Sequence, residues 1–138
     1  MAAGYSGKPL AEKLGIKPGR KVLLVNEPGN YLALLGPATA GFSLYHDGEG
    51  PFDLIHVFAQ DKAWLVEHIA PLKEGLAQNG ALWVSWPKGS SGVQTDLTEN
   101  IVRQLALEAG LVDTKVCAVD DTWSGLKLVI RLRDRKDS

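Results

Sequence analysis

The chain has 138 residues, 45% of them hydrophobic and 22% charged, enough for one packed core without disulfides or metals and too apolar for disorder. Its formal net charge of −1 leaves no electrostatic footprint for nucleic acid or an anionic membrane. The single cysteine, Cys117, excludes an internal disulfide and a thiolate metal cluster, and no apolar run reaches membrane-spanning length.

No basic-then-apolar leader opens the sequence, so a cytoplasmic location is expected. No repeat or long Pro/Gly/Ser linker divides it. Residues 1–138 therefore read as a single α/β domain, with 1–19 an N-terminal helix and turn and 133–138 a disordered tail. That tail is locally basic, but its acids and terminal position make it a solvated end rather than a nucleic-acid arm.

A short helix is predicted over 6–14, burying Leu10 and Leu14 and stopped by Gly15. Lys17-Pro18-Gly19 turns the chain into a strand over 20–26, where Val22-Leu23-Leu24-Val25 is the unbroken apolar run of a strand covered on both faces. A short helix at 30–35 follows, ended by Gly36-Pro37. Residues 42–45 are the expected short edge strand; without it the sheet has five members. The next strand, 52–59 (FDLIHVFA), is again apolar along most of its length. Asp61 caps a helix with the stripe Leu65, Ile69, Leu72 and Leu76, which Pro71 should kink or split. Asn79-Gly80 leads into a strand over 81–86. Asp96-Leu97-Thr98-Glu99 reads as a capping box before a helix that buries Leu97, Ile101, Leu105 and Ala109 and ends at Gly110. Two closing strands, 112–119 and 126–132, are joined by the tight segment 120–125. Strands alternating with helices, then a closing pair, predict a three-layer α/β sandwich with a mostly parallel sheet.

From Phe52 onward the sequence resembles a class I S-adenosylmethionine-dependent methyltransferase. "FDLIHVF", a helix, and "LKEGLAQNGALWVSWP" are similar to that superfamily's fourth strand and the entry to its fifth. "TENIVRQLALEAGLVDTKV" with "WSGLKLVIRL" is similar to its last helix and closing antiparallel pair. As a whole, the chain resembles a small bacterial family of unknown function, a likeness that brings no activity with it. The methyltransferase resemblance implies a Rossmann-like sheet order 2-1-3-4-6-5 with only the last strand antiparallel. It breaks at the first strand, where the superfamily places an E/D-x-G-x-G-x-G cofactor loop. This chain has Asn26-Glu27-Pro28-Gly29-Asn30 there, and Pro28 has no N–H and a fixed φ. The superfamily's helix and strand between its second and fourth strands are also missing, because only 46–51 separates 42–45 from 52–59. No cofactor is therefore expected, S-adenosylmethionine included.

In an open parallel sheet, ligands bind beyond the carboxyl ends of the strands. There the sequence places Asn26 and Glu27 with Asn30, then Gln60 and Asp61, then Lys88, Ser90 and Ser91, and finally Asp120, Asp121 and Trp123. The candidate cleft is Asn26, Glu27, Lys88, Ser90, Ser91, Asp120, Asp121 and Trp123, with the acids and Lys88 pairing or framing an anion. Each residue taken singly reads as well as a turn former or a cap. Lys88-Gly89-Ser90-Ser91-Gly92 could offer amides and hydroxyls to a phosphate or carboxylate, though it is not a Walker loop. Trp123 either covers a ligand or closes the end of the core.

His56, mid-strand among apolar neighbours, reads as a hydrogen-bonded core residue, and His68 packs beside Trp64. His46 lies in a turn, and no spacing links the three histidines, so no metal is expected. Cys117 reads as a small buried hydrophobe. Trp83 and Trp86 should face opposite sides of the sheet. The first functional reading is a non-catalytic or regulatory domain that binds a small anionic ligand or a protein partner. The alternatives are an enzyme of unassigned type using Glu27, Lys88 and Asp120 or Asp121, and a methyltransferase with a non-standard cofactor site.

Overall fold

The computed structural model describes residues 10–35 and 41–135. The expected first turn of the N-terminal helix, Gly36-Pro37 and the last three residues of the tail lie outside them. The elements in order are α1 (Leu10–Leu14), β1 (Lys21–Val25), α2 (Tyr31–Leu35), β2 (Ser43–Tyr45) and β3 (Phe52–Phe58). They continue with α3 (Lys62–Glu74), β4 (Leu76–Pro87), α4 (Glu99–Glu108), β5 (Leu111–Ala118) and β6 (Trp123–Ile130). No helix among the described residues is long and apolar enough to cross a membrane.

The six strands form one sheet in the order β2-β1-β3-β4-β6-β5. β2, β1, β3 and β4 run parallel, and β6 lies antiparallel between β4 and β5. This is the expected topology, including the short edge strand: Lys21, Val22 and Leu23 pair with Ser43, Leu44 and Tyr45. The run 46–51 returns from that edge past β1 to β3. A parallel crossover normally takes a dozen or more residues. At about 3.3 Å per residue, a connection this short spans roughly 20 Å, which suffices only because β2 itself is so brief.

The period of two along each strand sends side chains into two cores. Val22, Leu24, Leu54, Phe58 and Trp83 pack under α1 and α2, with Leu10, Leu14, Tyr31 and Leu35. Ile55, Val57, Leu82, Val84, Trp86, Leu126 and Leu128 pack under α3 and α4, with Leu65, Ile69, Val102, Leu105 and Ala106. Leu23 and Val25 join this second core, so β1 is covered on both faces as its apolar run requires. Trp83 and Trp86 fall on opposite faces, and both are buried.

Several local expectations are corrected. α3 runs in one stretch through Pro71. The proline sits in the last turn, where it forfeits one bond, while the Gly75 N–H closes that turn on the Pro71 and Leu72 carbonyls at 3.2 Å. Leu76 is not the end of the helical stripe; it opens β4, paired with Phe52. Asn79-Gly80 does not precede the strand but lies within it, at an irregularity that takes up the extra residues between the Phe52 and Leu54 pairings. A Cβ on Gly80 would stand 2.9 Å from the Asp53 carbonyl oxygen, so this bulge admits only glycine.

The capping box over 96–99 does not form. Thr98 is the N-cap of α4 and accepts from the Ile101 N–H at 3.2 Å, while Asp96 reaches across to accept the Lys62 N–H of α3 at 2.8 Å. The face α4 buries is centred on Val102 and Ala106, with Ile101 and Ala109 only partly covered. Residues 133–135, expected within a disordered tail, carry defined structure. Leu132–Asp134 is a 3-10 turn, held by Arg131–Asp134 at 2.8 Å and by the Arg135 Nε donating to the Ile130 carbonyl at 3.0 Å.

The β5–β6 pair sets Lys115 directly opposite Lys127. Burial, then the charges of Lys115 and Lys17, push the Lys127 ammonium below the ordinary lysine range. Like charges facing each other across a ladder cost about 0.2–1 kcal/mol. Lys115→Glu is therefore expected to raise stability by roughly 0.5–1 kcal/mol at low salt, read as a higher urea midpoint at constant slope. An unchanged or lower midpoint would show that the pair carries no cost.

Candidate functional site

All the candidate residues lie at one edge of the sheet, because β1, β3, β4 and β5 end there and β6 starts there. At the end of β1, Asn26 takes a left-handed backbone with φ of 60°, and its amide donates to the Phe58 carbonyl of β3 at 3.4 Å. Glu27 accepts a short hydrogen bond from the His46 ring just beyond β2, and the Pro28 carbonyl accepts from the Tyr31 N–H at 3.0 Å, opening α2. The three anchors leave little of this loop uncommitted.

Behind the loop, Tyr31, His56 and Ser85 form a buried polar chain. The Tyr31 hydroxyl meets His56 Nδ1 at 2.8 Å, and His56 Nε2 meets the Ser85 hydroxyl at 2.7 Å. Burial, and after it the charge of Glu27, pushes the Tyr31 hydroxyl well above the usual phenol range. Burial alone pushes His56 down to about 3, so the ring is neutral and each of its nitrogens has one hydroxyl partner. Phe58 stacks on His56 at 4.4 Å and meets Trp123 edge-on at 5.0 Å. Trp123 thus closes the end of the α1/α2 core, the second of its two expected roles. His68 stacks on Trp64 at 4.1 Å, as expected.

The acids and Lys88 do not pair. Glu27 is engaged by His46, and Asp120 Oδ1 accepts the Thr122 and Trp123 N–H groups at 2.8 Å each, fastening the turn from β5 to β6. Asp121 is exposed. That turn is tied to β4 through the Lys88 N–H, which donates to the Thr122 carbonyl at 2.8 Å. Ser91 donates to the Lys88 carbonyl at 2.7 Å and accepts from the Val93 N–H, while Ser90 is exposed. Ser91 therefore builds its own loop.

On the α3/α4 side of this edge lies an open groove of about 640 Å³ between the end of β4, the loop after it, the start of α4 and Ser124 of β6. Of the expected candidates, Lys88 alone lines it. Trp86, Val93, Gln94, Thr98, Glu99 and Ser124 line it too and were not among the site residues expected from the sequence. Glu99 is matched by Arg103 at 2.6 Å, and Arg103 also holds Asp113 at 3.0 Å. Hydrogen bonds to these two carboxylates raise the guanidinium further above its ordinary value. Among the described residues, no three His, Cys, Asp or Glu side chains come together as a metal site.

Solved structures share this fold at low identity. The ribosomal protein L11 methylase of Lactobacillus delbrueckii subsp. bulgaricus is 17% identical, with a TM-score of 0.58 over 88% of this chain and 74% of that one. Magnesium protoporphyrin IX methyltransferase (ChlM) of Synechocystis PCC 6803, solved with bound SAH, is 12% identical, with a TM-score of 0.59 over 88% and 79%. A TehB-like SAM-dependent methyltransferase of Corynebacterium glutamicum is 13% identical, with a TM-score of 0.57 over 94% and 91%. These likenesses establish the architecture and nothing of the chemistry. A search of curated protein sequences found no match. One family profile, described as "Protein of unknown function (DUF3052)", matches residues 44–132.

Proposed function

The chain belongs to the DUF3052 family of proteins of unknown function, and from that premise we propose a non-catalytic, small-ligand-binding domain on a degenerate methyltransferase fold. The carrying observation is the end of β1. Methyltransferases of this fold bring a glycine-rich backbone against their cofactor at that point. Here Pro28 has no N–H to offer, Asn26 and the Pro28 carbonyl are bonded to neighbouring backbone, and the Glu27 carboxylate is held by His46. These residues do not fit S-adenosylmethionine.

The enzyme alternative needs Glu27, Lys88 and Asp120 or Asp121 to converge on one reacting atom. Glu27 and Asp120 are each engaged in holding a loop, whereas the groove beside Lys88 offers concave, mixed polar and apolar walls. Concavity with a few placed polar groups favours a small ligand over a flat protein contact.

Two measurements test the reading. Calorimetry with S-adenosylmethionine at up to about 1 mM is expected to show no binding, and a micromolar dissociation constant would overturn the reading. A thermal-shift screen of nucleotides and metabolic acids is expected to return a stabilising small molecule. At a hundred times its dissociation constant, a ligand adds about 2.7 kcal/mol. Turnover of any hit would transfer the site to the enzyme reading.

A further inference from the structure

We propose that the groove between β4 and α4 is a binding site for a small organic monocarboxylate, held at its charged end by Lys88 and flanked by Ser124 and Gln94. The inference rests on the small-ligand reading and narrows it to one chemistry at one place.

The groove is built rather than incidental. Its volume, about 640 Å³, lies within the ordinary range for small-molecule sites, roughly 300–1,000 Å³. The loop that walls it is pinned at both ends. At its start the Lys88 N–H is bonded to the Thr122 carbonyl. At its far end Gln60 donates to the Gln94 carbonyl, Thr95 donates to the Gln60 carbonyl, and Asp96 accepts the Lys62 N–H. Such walls pay little ordering entropy when a ligand arrives.

The charges on the lining select the ligand. Glu99 is matched by Arg103, and Asp96 just behind the wall is spent on backbone. Lys88 is half-buried and makes no ion pair among the described residues, so the lining carries one unmatched cation. The Thr98 hydroxyl is committed as the cap of α4, while the side chains of Ser124 and Gln94 make no hydrogen bond within the described chain and remain for a ligand. One unmatched lysine on the lining suits a single negative charge. A phosphate dianion would bring a second charge for which the lining holds no further cation. The apolar part of the lining, Trp86, Pro87, Leu97 and Val93, the last 38% exposed at the rim, takes the body of the molecule.

The test is a series of amide correlation spectra of the full chain, titrated with benzoate, benzamide and phenyl phosphate. Benzoate is expected to give saturable shifts confined to 87–99 and Ser124. Benzamide, the same shape without the charge, is expected to bind up to roughly fivefold more weakly, as a partly exposed ion pair implies. Lys88→Met, with its spectrum unchanged elsewhere, should bind benzoate and benzamide alike. Equal binding of the two by the unaltered chain overturns the proposal, as do tighter binding of phenyl phosphate, shifts centred on Glu27 and His46, or no shift at roughly 20 mM. A screening hit that binds elsewhere while benzoate fails leaves the small-ligand reading standing and removes only the carboxylate site.

Discussion

Replacing Trp83 with Ala is expected to cost about 3–5 kcal/mol, the usual range for a large aromatic lost from a core. Trp83 is fully buried in the middle of β4, under α1. Its indole N–H donates to the Leu14 carbonyl at 2.9 Å, tying the end of α1 to the centre of the sheet across half the length of the chain. The carbonyl left unpaired would add to the cost of the cavity. A domain of this size typically has 5–15 kcal/mol in all, so the variant should melt roughly 10–15 °C lower. Trp83→Phe keeps most of the volume and loses the donor, and is expected to cost about 1–2 kcal/mol. Urea or thermal melts of both variants separate packing from hydrogen bonding. A loss below about 1 kcal/mol for the Ala variant would contradict the burial.

Trp83 also shows what the sequence makes legible. Strand alternation alone places Trp83 and Trp86 on opposite faces, and the apolar runs of β1 and β3 mark strands covered on both sides. The sheet order was legible only through the methyltransferase resemblance of the chain after Phe52, which implied the order that the strands adopt. What was not legible depends on competition between turn signals and pairing. Asn79-Gly80 reads as a turn, yet pairing of Leu76 with Phe52 draws it into β4 as a bulge. Asp96 reads as a cap of its own helix, but α3 starts close by with an unpaired N–H, and the carboxylate goes there instead. Local sequence cannot rank two backbone donors that only the fold brings within reach.

The site divides along the same line. Strand ends give position along the sheet edge, so Asn26, Lys88 and Asp120 were all found at one edge. The side of the sheet is a separate coordinate. Ser124 shares the α3/α4 face with Leu126 and Leu128, whereas Trp123 packs with the α1/α2 core. A groove on the first face therefore takes in Ser124 and leaves Trp123 out. That parity was present in the sequence. The partner of Glu27 was not, because His46 reaches it only through the fold-dependent pairing of β1 with β2.

The buried chain Tyr31–His56–Ser85 makes stability depend on pH in a way that isolates one residue. Burial holds His56 down to about 3 in the folded chain, against roughly 6.5 when unfolded. The unfolded state therefore takes up a proton that the folded state refuses. The stabilisation is whole above the unfolded value and is lost as pH falls from about 6.5 toward 3, at about 1.4 kcal/mol per pH unit. Between pH 7 and pH 4.5 the loss from this one ring is about 2.5 kcal/mol. His56→Gln keeps an amide that can bond both the Tyr31 and Ser85 hydroxyls but cannot take the proton. Its cost at pH 7 should therefore shrink by about 2.5 kcal/mol at pH 4.5, as contributions from other groups cancel between the two chains. Urea melts of both chains at the two pH values measure the difference directly. A cost that stays constant across that window would mean that His56 accepts its proton in the folded state, and that the space around it is far less dry than its burial implies.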